Sequence, residues 1–263
     1  MPQTESYESK KAFFRQMLTI YGRNTVKEAL GDHSLQCYAL HLADSNRPDG
    51  IIKELERLAQ QRNISIKYHS RSELSRISRN GKQDQGVAAD IVCPAFNSAD
   101  SYLADLQDHR PVRLLALDGI TNPQNIGMII RSAAAGEIDG IVYPERGCAS
   151  LGPLVLKASA GTLYKAPILR CDGLSSFLEA WRAKDYPVAI LAADAEQSLF
   201  SFQPEQHCIY VLGSETDGVS KQVQALGTHP LSIVMHNGVE SLNVAVTASL
   251  IAFAGQLGGQ TLQ

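Results

Sequence analysis

From Val112 onward the chain alternates short, wholly apolar runs with stretches of helical length, a pattern that few folds accept. The apolar runs are "RLLALD", "GIVYP", "PILR", "VAILAAD", "CIYVLG" and "LSIVM". A strand that is apolar on both faces has no side to offer water, so these runs predict a parallel sheet with helices on both faces. Helices are expected near 124–136, 152–163, 174–184, 221–226 and 242–257. In such sheets ligands settle beyond the carboxyl ends of the strands, where helix N-termini present free N–H groups. The polar and glycine residues that follow each strand are therefore where chemistry is to be sought.

A smaller α/β unit precedes this region. Between Tyr21 and Cys93 a helix near Thr25–Leu30, the strand "CYALHLA", an amphipathic helix and the strand "ISIKY" follow one another. A short helix near Leu74 and the strand "GVAADIV" complete it. The division expected is an extension over 1–19, a small α/β domain over 20–95, a linker over 96–111 with at most one helical turn, and a large domain over 112–263. Charge divides in the same way. Residues 1–90 hold 14 Lys and Arg against 11 Asp and Glu, and the remainder holds 10 against 16. Positions 10–27 carry five cations and no acid, while Arg71, Arg76, Arg79 and Lys82 face only Glu73. Such clusters suit a phosphate backbone, although on charge alone a solvated surface is the better explanation.

Three strand-to-helix junctions stand out. In "LDGITNPQNIGMIIRSAAAG", Asn122-Pro123 signals a helix start, Asn125 falls in its first turn, and Gly127 and Arg131 lie four apart on one face. A glycine there would let a ligand approach the backbone, and an arginine in so apolar a helix needs an explanation, which a ligand, a buried ion pair or a snorkelling position at the domain edge each supplies. In "IYVLGSETDGVS", Gly213 ends a buried strand and Glu215 stands at its mouth. In "VMHNGVESLNVAVTASLIAF", Ser241 is an N-cap candidate and Asn243 a polar residue in the first turn of a helix apolar all round, hence expected to be deeply packed.

Other chemistries find less support. There is no G-x-G-x-x-G, no phosphate-loop motif, no nucleophile elbow and no metal spacing among the histidines. The five cysteines are scattered without a C-x-x-C pair and read as small hydrophobes, so no metal is expected. No apolar run approaches the roughly 20 residues of a spanning helix, and "MPQTESYESKKAFF" lacks a signal-like apolar core, which points to a cytoplasmic protein.

"NPQNIGMIIRSA", "VLGSETDG" and "IVMHNGVESLNVAV", in this order, resemble the three motifs of the SpoU (TrmH-like) branch of the SPOUT RNA methyltransferases. "KASAGTLYKAPI" is similar to the family's middle segment. "IYGRNTVKEAL" with "DQGVAADI" resembles the small substrate-binding domain of members acting on large ribosomal RNA. The resemblance implies a catalytic domain whose C-terminal segment is tucked through a deep trefoil knot, working as a homodimer with the active site at the subunit contact. It implies S-adenosylmethionine held around Leu191, Ala192, Ala193, Leu212, Gly213, Ile233, Val234, Met235 and Leu242. The methyl acceptor would be a ribose 2′-hydroxyl of ribosomal RNA or, failing that, tRNA. Arg131 would be the catalytic residue, gripping a phosphate and polarising the hydroxyl, with Asn125, Glu215, Ser241 and Asn243 orienting ribose and cofactor. Arg23, Arg76, Arg79 and Lys82 of the small domain would hold the RNA. One departure stands out: Val234 replaces a proline common in the family, in a loop that also carries His236-Asn237. A knotted RNA-docking or ribosome-assembly protein without methyl transfer is the alternative.

Overall fold

The computed structural model describes residue 10 and residues 13–47, 50–107, 109–192 and 194–258. These divide into two units, one reaching to Pro94 and holding Leu151–Pro153, the other comprising the remainder from Ala95.

The small unit runs β1 (Met17–Tyr21), α1 (Arg23–Gly31), β2 (Gln36–Ala43), α2 (Gly50–Gln61), β3 (Ser65–His69), α3 (Arg71–Ser78) and β4 (Val87–Val92). Its sheet has the order β1-β4-β2-β3, with only β2 and β3 parallel. The boundary expected at 19/20 cuts through β1, whose register runs from Met17 opposite Val92 to Tyr21 opposite Ala88. "KKAFFRQML" hid this strand because its apolar residues are too few to show a period of two. α3 opens on a capping box, Ser70 accepting from the Glu73 N–H while Glu73 accepts from the Ser70 N–H at 2.9 Å. Arg62 ties the end of α1 down by donating to the carbonyls of Ala29, Leu30, Asp32 and Leu35.

In the large unit come β5 (Asn97–Ser98), α4 (Ala99–Asp105), β6 (Arg113–Leu117), α5 (Pro123–Ala135), β7 (Gly140–Pro144), α6 (Pro153–Ala158) and β8 (Ile168–Cys171). After them follow α7 (Leu174–Arg182), β9 (Val188–Leu191), β10 (Cys208–Leu212), α8 (Lys221–Gln224), β11 (His229–Leu231) and α9 (Val244–Gly258). All pairings in the seven-stranded sheet β11-β9-β10-β6-β7-β8-β5 are parallel. Leu114, Ala116, Val142, Leu169, Ile209 and Val211 form one core with Phe177 and Trp181 of α7. The alternate residues Leu115, Leu117, Ile141, Tyr210 and Leu212 are buried too, so both faces are covered.

Residues 96–111 are more than a linker: β5 pairs with β8 at the sheet edge and α4 packs Ala99 and Leu103 into the main core. The Asn and Ser that looked like loop composition are its start signals, Ser98 capping α4. The expected helix over 152–163 breaks at Ala160 and Gly161, both at positive φ, into α6 and a single 3-10 turn. The run "LSIVM" contributes only Leu231 to β11, and its remaining residues form a loop.

α9 lies along α5. Contacts run in step, Asn243 to Asn125, Ser249 to Ser132 (2.8 Å) and the Ala252 carbonyl to the Glu137 N–H (2.7 Å), so the helices are parallel. At Gly136 a Cβ would stand 2.4 Å from the Ala252 oxygen, and the glycine lets the helices close at that end. α9 is not deeply packed all round, as its sequence suggested. Val246 is 48% exposed, level with Met128 of α5 at 42%.

Candidate active site

The strand order reverses at β6: β7 and β8 lie to one side, β10, β9 and β11 to the other. Such a switch point opens a crevice at the carboxyl ends of the strands. A cleft of about 1020 Å³ lies beyond β9, β10 and β11. Its walls include Leu191 and Ala192 after β9, Leu212, Gly213 and Glu215 after β10, Ile233, Val234 and Met235 after β11, and Ser241, Leu242 and Asn243 before α9. Ala193 lies outside the described residues. Sequence reasoning missed Ser232, Val239, Val244 and Thr247, which also line the cleft. Thr247 could have been found, since it is the one hydroxyl a helical turn beyond Asn243.

Gly213 is required by its loop. A Cβ there would stand 2.0 Å from the Gly218 carbonyl carbon and 2.2 Å from the Val219 nitrogen. Reciprocal bonds between Ser214 and Gly218 (2.9 and 3.0 Å) close the loop, and Gly218 takes φ +66°. Asp118, after β6, accepts from the Ser220 N–H at 2.7 Å and ties this loop to the next strand. The loop before α9 turns at His236–Val239, with Asn237 at φ 57°, Gly238 at φ 72° and a 3.2 Å bond from the Val239 N–H to the His236 carbonyl. Two central residues at positive φ are what an Asn-Gly pair accepts most readily, which explains Asn237. Beside this turn Val234 is 67% exposed.

Two polar residues of the cleft wall, Glu215 and Asn243, meet a third, buried Asn125, so that three junctions are joined. Asn243 donates through Nδ2 to Asn125 Oδ1 (3.3 Å) and Glu215 Oε1 (2.5 Å), and accepts through Oδ1 from the Ala245 N–H (2.9 Å). It is therefore Asn243, not Ser241, that caps α9. Ser241 stands two residues earlier, exposed on the cleft wall. Asn125 is 4% exposed and rides in the first turn of α5, whose start is set by Asn122 accepting from the Gln124 N–H (2.9 Å) and by Pro123. The Asn243 amide uses both donor hydrogens and one acceptor lone pair internally, so its orientation is fixed before any ligand arrives.

Arg131 is not part of this cluster. It lies on the exposed stripe of α5 with Gln124 and Met128, turned away from the buried face that carries Asn125, and makes no ion pair among the described residues. Gly127 is not a ligand approach either. A Cβ there would stand 2.5 Å from Ala158 Cβ and 2.6 Å from the Val155 oxygen, so the glycine admits α6. The cysteines behave as small hydrophobes: burial pushes the thiols of Cys171 and Cys208 up to about 12 and raises that of Cys148. No group of three or more His, Cys, Asp or Glu able to hold a metal occurs among the described residues, and no helix there is long and apolar enough to cross a membrane.

In the small unit Arg23 lies against the loop that follows α3, its Nε donating to the Gln85 carbonyl at 3.3 Å. Arg79 ends α3 at φ 53°, and Arg76, Arg79 and Lys82 are exposed. The site residues of the large unit and these cations belong to separate units.

Residues 113–253 match the SpoU rRNA Methylase family, and residues 19–95 match the family described as RNA 2'-O ribose methyltransferase substrate binding. A protein of Mycolicibacterium vanbaalenii named "uncharacterized tRNA/rRNA methyltransferase" is 33% identical over 235 residues, covering 88% of this chain and 74% of that protein. A Mycobacterium bovis protein of the same name is 32% identical over 238 residues, covering 90% and 73%. Among solved structures, the SpoU methyltransferase AviRb of Streptomyces viridochromogenes in complex with AdoMet aligns with a TM-score of 0.59 at 21% identity, over 91% of this chain and 89% of that one. The AdoMet-bound rRNA methyltransferase of Sinorhizobium meliloti aligns with a TM-score of 0.59 at 17% identity, over 98% and 92%. At these identities the two structures speak for the fold; the family match over 113–253, with the ordered junctions that build the cleft, speaks for descent. The chain belongs to the SpoU rRNA methylase family.

Proposed function

We propose that the protein transfers a methyl group from S-adenosylmethionine to a ribose 2′-hydroxyl of structured RNA, ribosomal RNA before tRNA. The observation that carries this reading is the meeting, through Asn243, of buried Asn125 with Glu215 of the cleft wall, three residues from three junctions beside one cleft at the carboxyl ends of the strands. The residues present fit the cofactor. Leu191, Leu212, Ile233, Met235 and Leu242 offer an apolar wall for a purine, and the volume suffices for a molecule of that size. When bound, S-adenosylmethionine supplies a sulfonium methyl already activated for transfer.

What remains for the chain is alignment and weakening of the hydroxyl O–H bond. Asn243, locked by its three bonds, holds Asn125 and Glu215 in place. That leaves the Asn125 amide hydrogens and the second Glu215 oxygen to orient a ribose, and Ser241 to bond from the wall. Arg131 keeps its proton, so its role is to grip a phosphate and polarise the hydroxyl. Because it points away from the cleft of its own chain, we assign it to the cleft of a second copy in a homodimer. The exposed pair Met128 and Val246, level with each other on adjoining helices, supports such a contact. The C-terminal segment carrying α9 would thread the domain as a deep trefoil knot, and Arg23, Arg76, Arg79 and Lys82 would hold the RNA backbone.

The test is to incubate undermethylated total RNA with radiolabelled S-adenosylmethionine and the purified protein, find the labelled species, and locate the nucleotide by resistance to alkaline cleavage. Label on a base, or none, would overturn the 2′-hydroxyl assignment. Cofactor-independent RNA binding without label would favour a docking protein.

A further inference from the structure

The two faces of the small sheet are not equally covered. On the face that carries Tyr21, Ala43 and Ala88, helix α3 seats Leu74 and Ile77. Farther along that face the described helical residues 13–15 come in through Phe13. There the chain has placed a β-bulge between Cys37 and Ala39, which gives β2 one residue more than its partner β4. The residue at the bulge is Tyr38, 41% exposed. Lys67, the register partner of His41 on β3, holds its Nζ 5.6 Å from the Tyr38 ring centroid. Phe13 meets the same ring edge-on at 5.3 Å, and Phe14 follows at 57% exposure.

The chemistry of this patch is selective. Its exposed large hydrophobic side chains, Phe14 and Tyr38, are both aromatic, whereas Tyr68, next to Lys67 in β3, points to the opposite face and donates to Glu56 of α2. Aromatic side chains also mark protein interfaces, so the cation beside the rings decides between the two. Rings set among cations suit a ligand that has both a flat π-face and negative charge. Phe13 and Phe14 also lie inside the acid-free stretch 10–27, between Lys10 and Arg15. Beside the patch Thr19, Asp90, His41 and His69 form one hydrogen-bonded row, with Thr19 Oγ1 to Asp90 Oδ1 at 2.7 Å, Asp90 Oδ2 to His41 Nε2 at 3.0 Å and His41 Nδ1 to His69 Nε2 at 2.9 Å. That row lies beside Lys67 and the bulge in register, and the rings are oriented by their neighbours.

We propose that Tyr38, with Phe14 and Lys67, is a stacking site for unpaired bases of the RNA substrate, separate from the phosphate-holding cations around α3. This rests on the RNA reading of the small unit given above. Stacking on an aromatic ring tolerates any base but requires an unpaired one, so the site would select single-stranded loops or ends and leave sequence to other contacts.

The test uses the full chain with oligoadenylate, oligouridylate and a fully paired RNA duplex as probes, read by anisotropy across a salt series. Tyr38→Ala should weaken binding of both oligonucleotides by roughly 5- to 100-fold, leave the duplex within about twofold and leave the salt slope unchanged. Tyr38→Phe, which keeps the ring, should bind as the unaltered protein does and serves as the fold control. Reversing charge at Arg76 and Arg79 should instead lower the salt slope on all three probes. Equal binding by a folded Tyr38→Ala overturns the stacking site while leaving the RNA reading intact. If the unaltered protein binds none of the probes, the RNA reading falls and the site with it. A change of sedimentation coefficient in Tyr38→Ala with unchanged oligonucleotide binding would assign the patch to contact between copies and overturn it as well.

Discussion

Asn243→Ala removes three hydrogen bonds at once, and the structure sets the size of the effect. The cap on α9 is lost, which costs about 1 kcal/mol for an exposed helix start. Asn125 Oδ1, on a residue 4% exposed, loses its donor, and leaving a buried acceptor unpaired costs about 1–3 kcal/mol. The bond to Glu215 lies at an exposed carboxylate and adds little. The expected total is about 2–4 kcal/mol. Trp181 is the single tryptophan of the chain and is fully buried in the core of the large unit, so urea unfolding followed by its fluorescence reads that unit alone. Asn243→Asp separates the two roles. It keeps the cap acceptor but sets a second carboxylate against Glu215, and like charge raises a carboxyl pKa in the folded state above its unfolded value. A group shifted that way contributes stability at low pH that is lost as pH rises, so the deficit of Asn243→Asp should widen from about pH 4 to pH 7, while that of Asn243→Ala stays constant. A cost below about 0.5 kcal/mol for Asn243→Ala, under the usual range for a lost cap, or a pH-independent deficit for Asn243→Asp, would refute the claim that this amide is a preset clamp.

Four further outcomes are expected. Gly127→Ala should destabilise by about 1–3 kcal/mol in the same urea assay, although alanine is the better helix former, because its Cβ meets Val155 and Ala158 of α6; a stabilised variant would place α6 farther away. Arg62→Ala should lower the thermal midpoint of the small unit, with a loss of about 2–4 kcal/mol as the carbonyls closing α1 lose a charged donor, and an unchanged midpoint would show that water replaces it. Burial alone would raise the Asp90 carboxyl, but bonds from His41 and Thr19 hold it below its ordinary value, so its contribution is complete above about pH 4 and is lost as pH falls through the folded value; Asp90→Asn should flatten the acid limb of a stability-against-pH curve. Met128→Glu together with Val246→Glu should convert a dimer to monomers in light scattering and abolish methylation, and an active monomer would return Arg131 to its own cleft.

How much of this was legible in the sequence depends on the range of the interaction concerned. The parallel sheet was legible because burial on both faces writes itself into each strand locally, and the three junctions because glycine and polar residues at strand ends break that apolar pattern. β5 was not legible: two residues carry no period, and their pairing with β8 depends on chain some seventy positions away. Asn243 stood out in the sequence as a polar residue but was given the wrong local role, since a first-turn residue and a cap differ by one position and only the bond to the Ala245 N–H decides between them. Ile233, Val234 and Met235 looked like strand because apolar composition does not say whether the apolar partner is a neighbouring strand or a cleft. Gly127 and Arg131 show the same ambiguity at four-residue spacing. Both break the apolar pattern of α5, yet the glycine serves α6 and the arginine serves nothing within its own chain among the described residues. A cation at a helix surface beside Met128, without an ion pair among the described residues, is free to meet a phosphate or a second copy. For that reason we place the reacting phosphate and the second copy at the same surface.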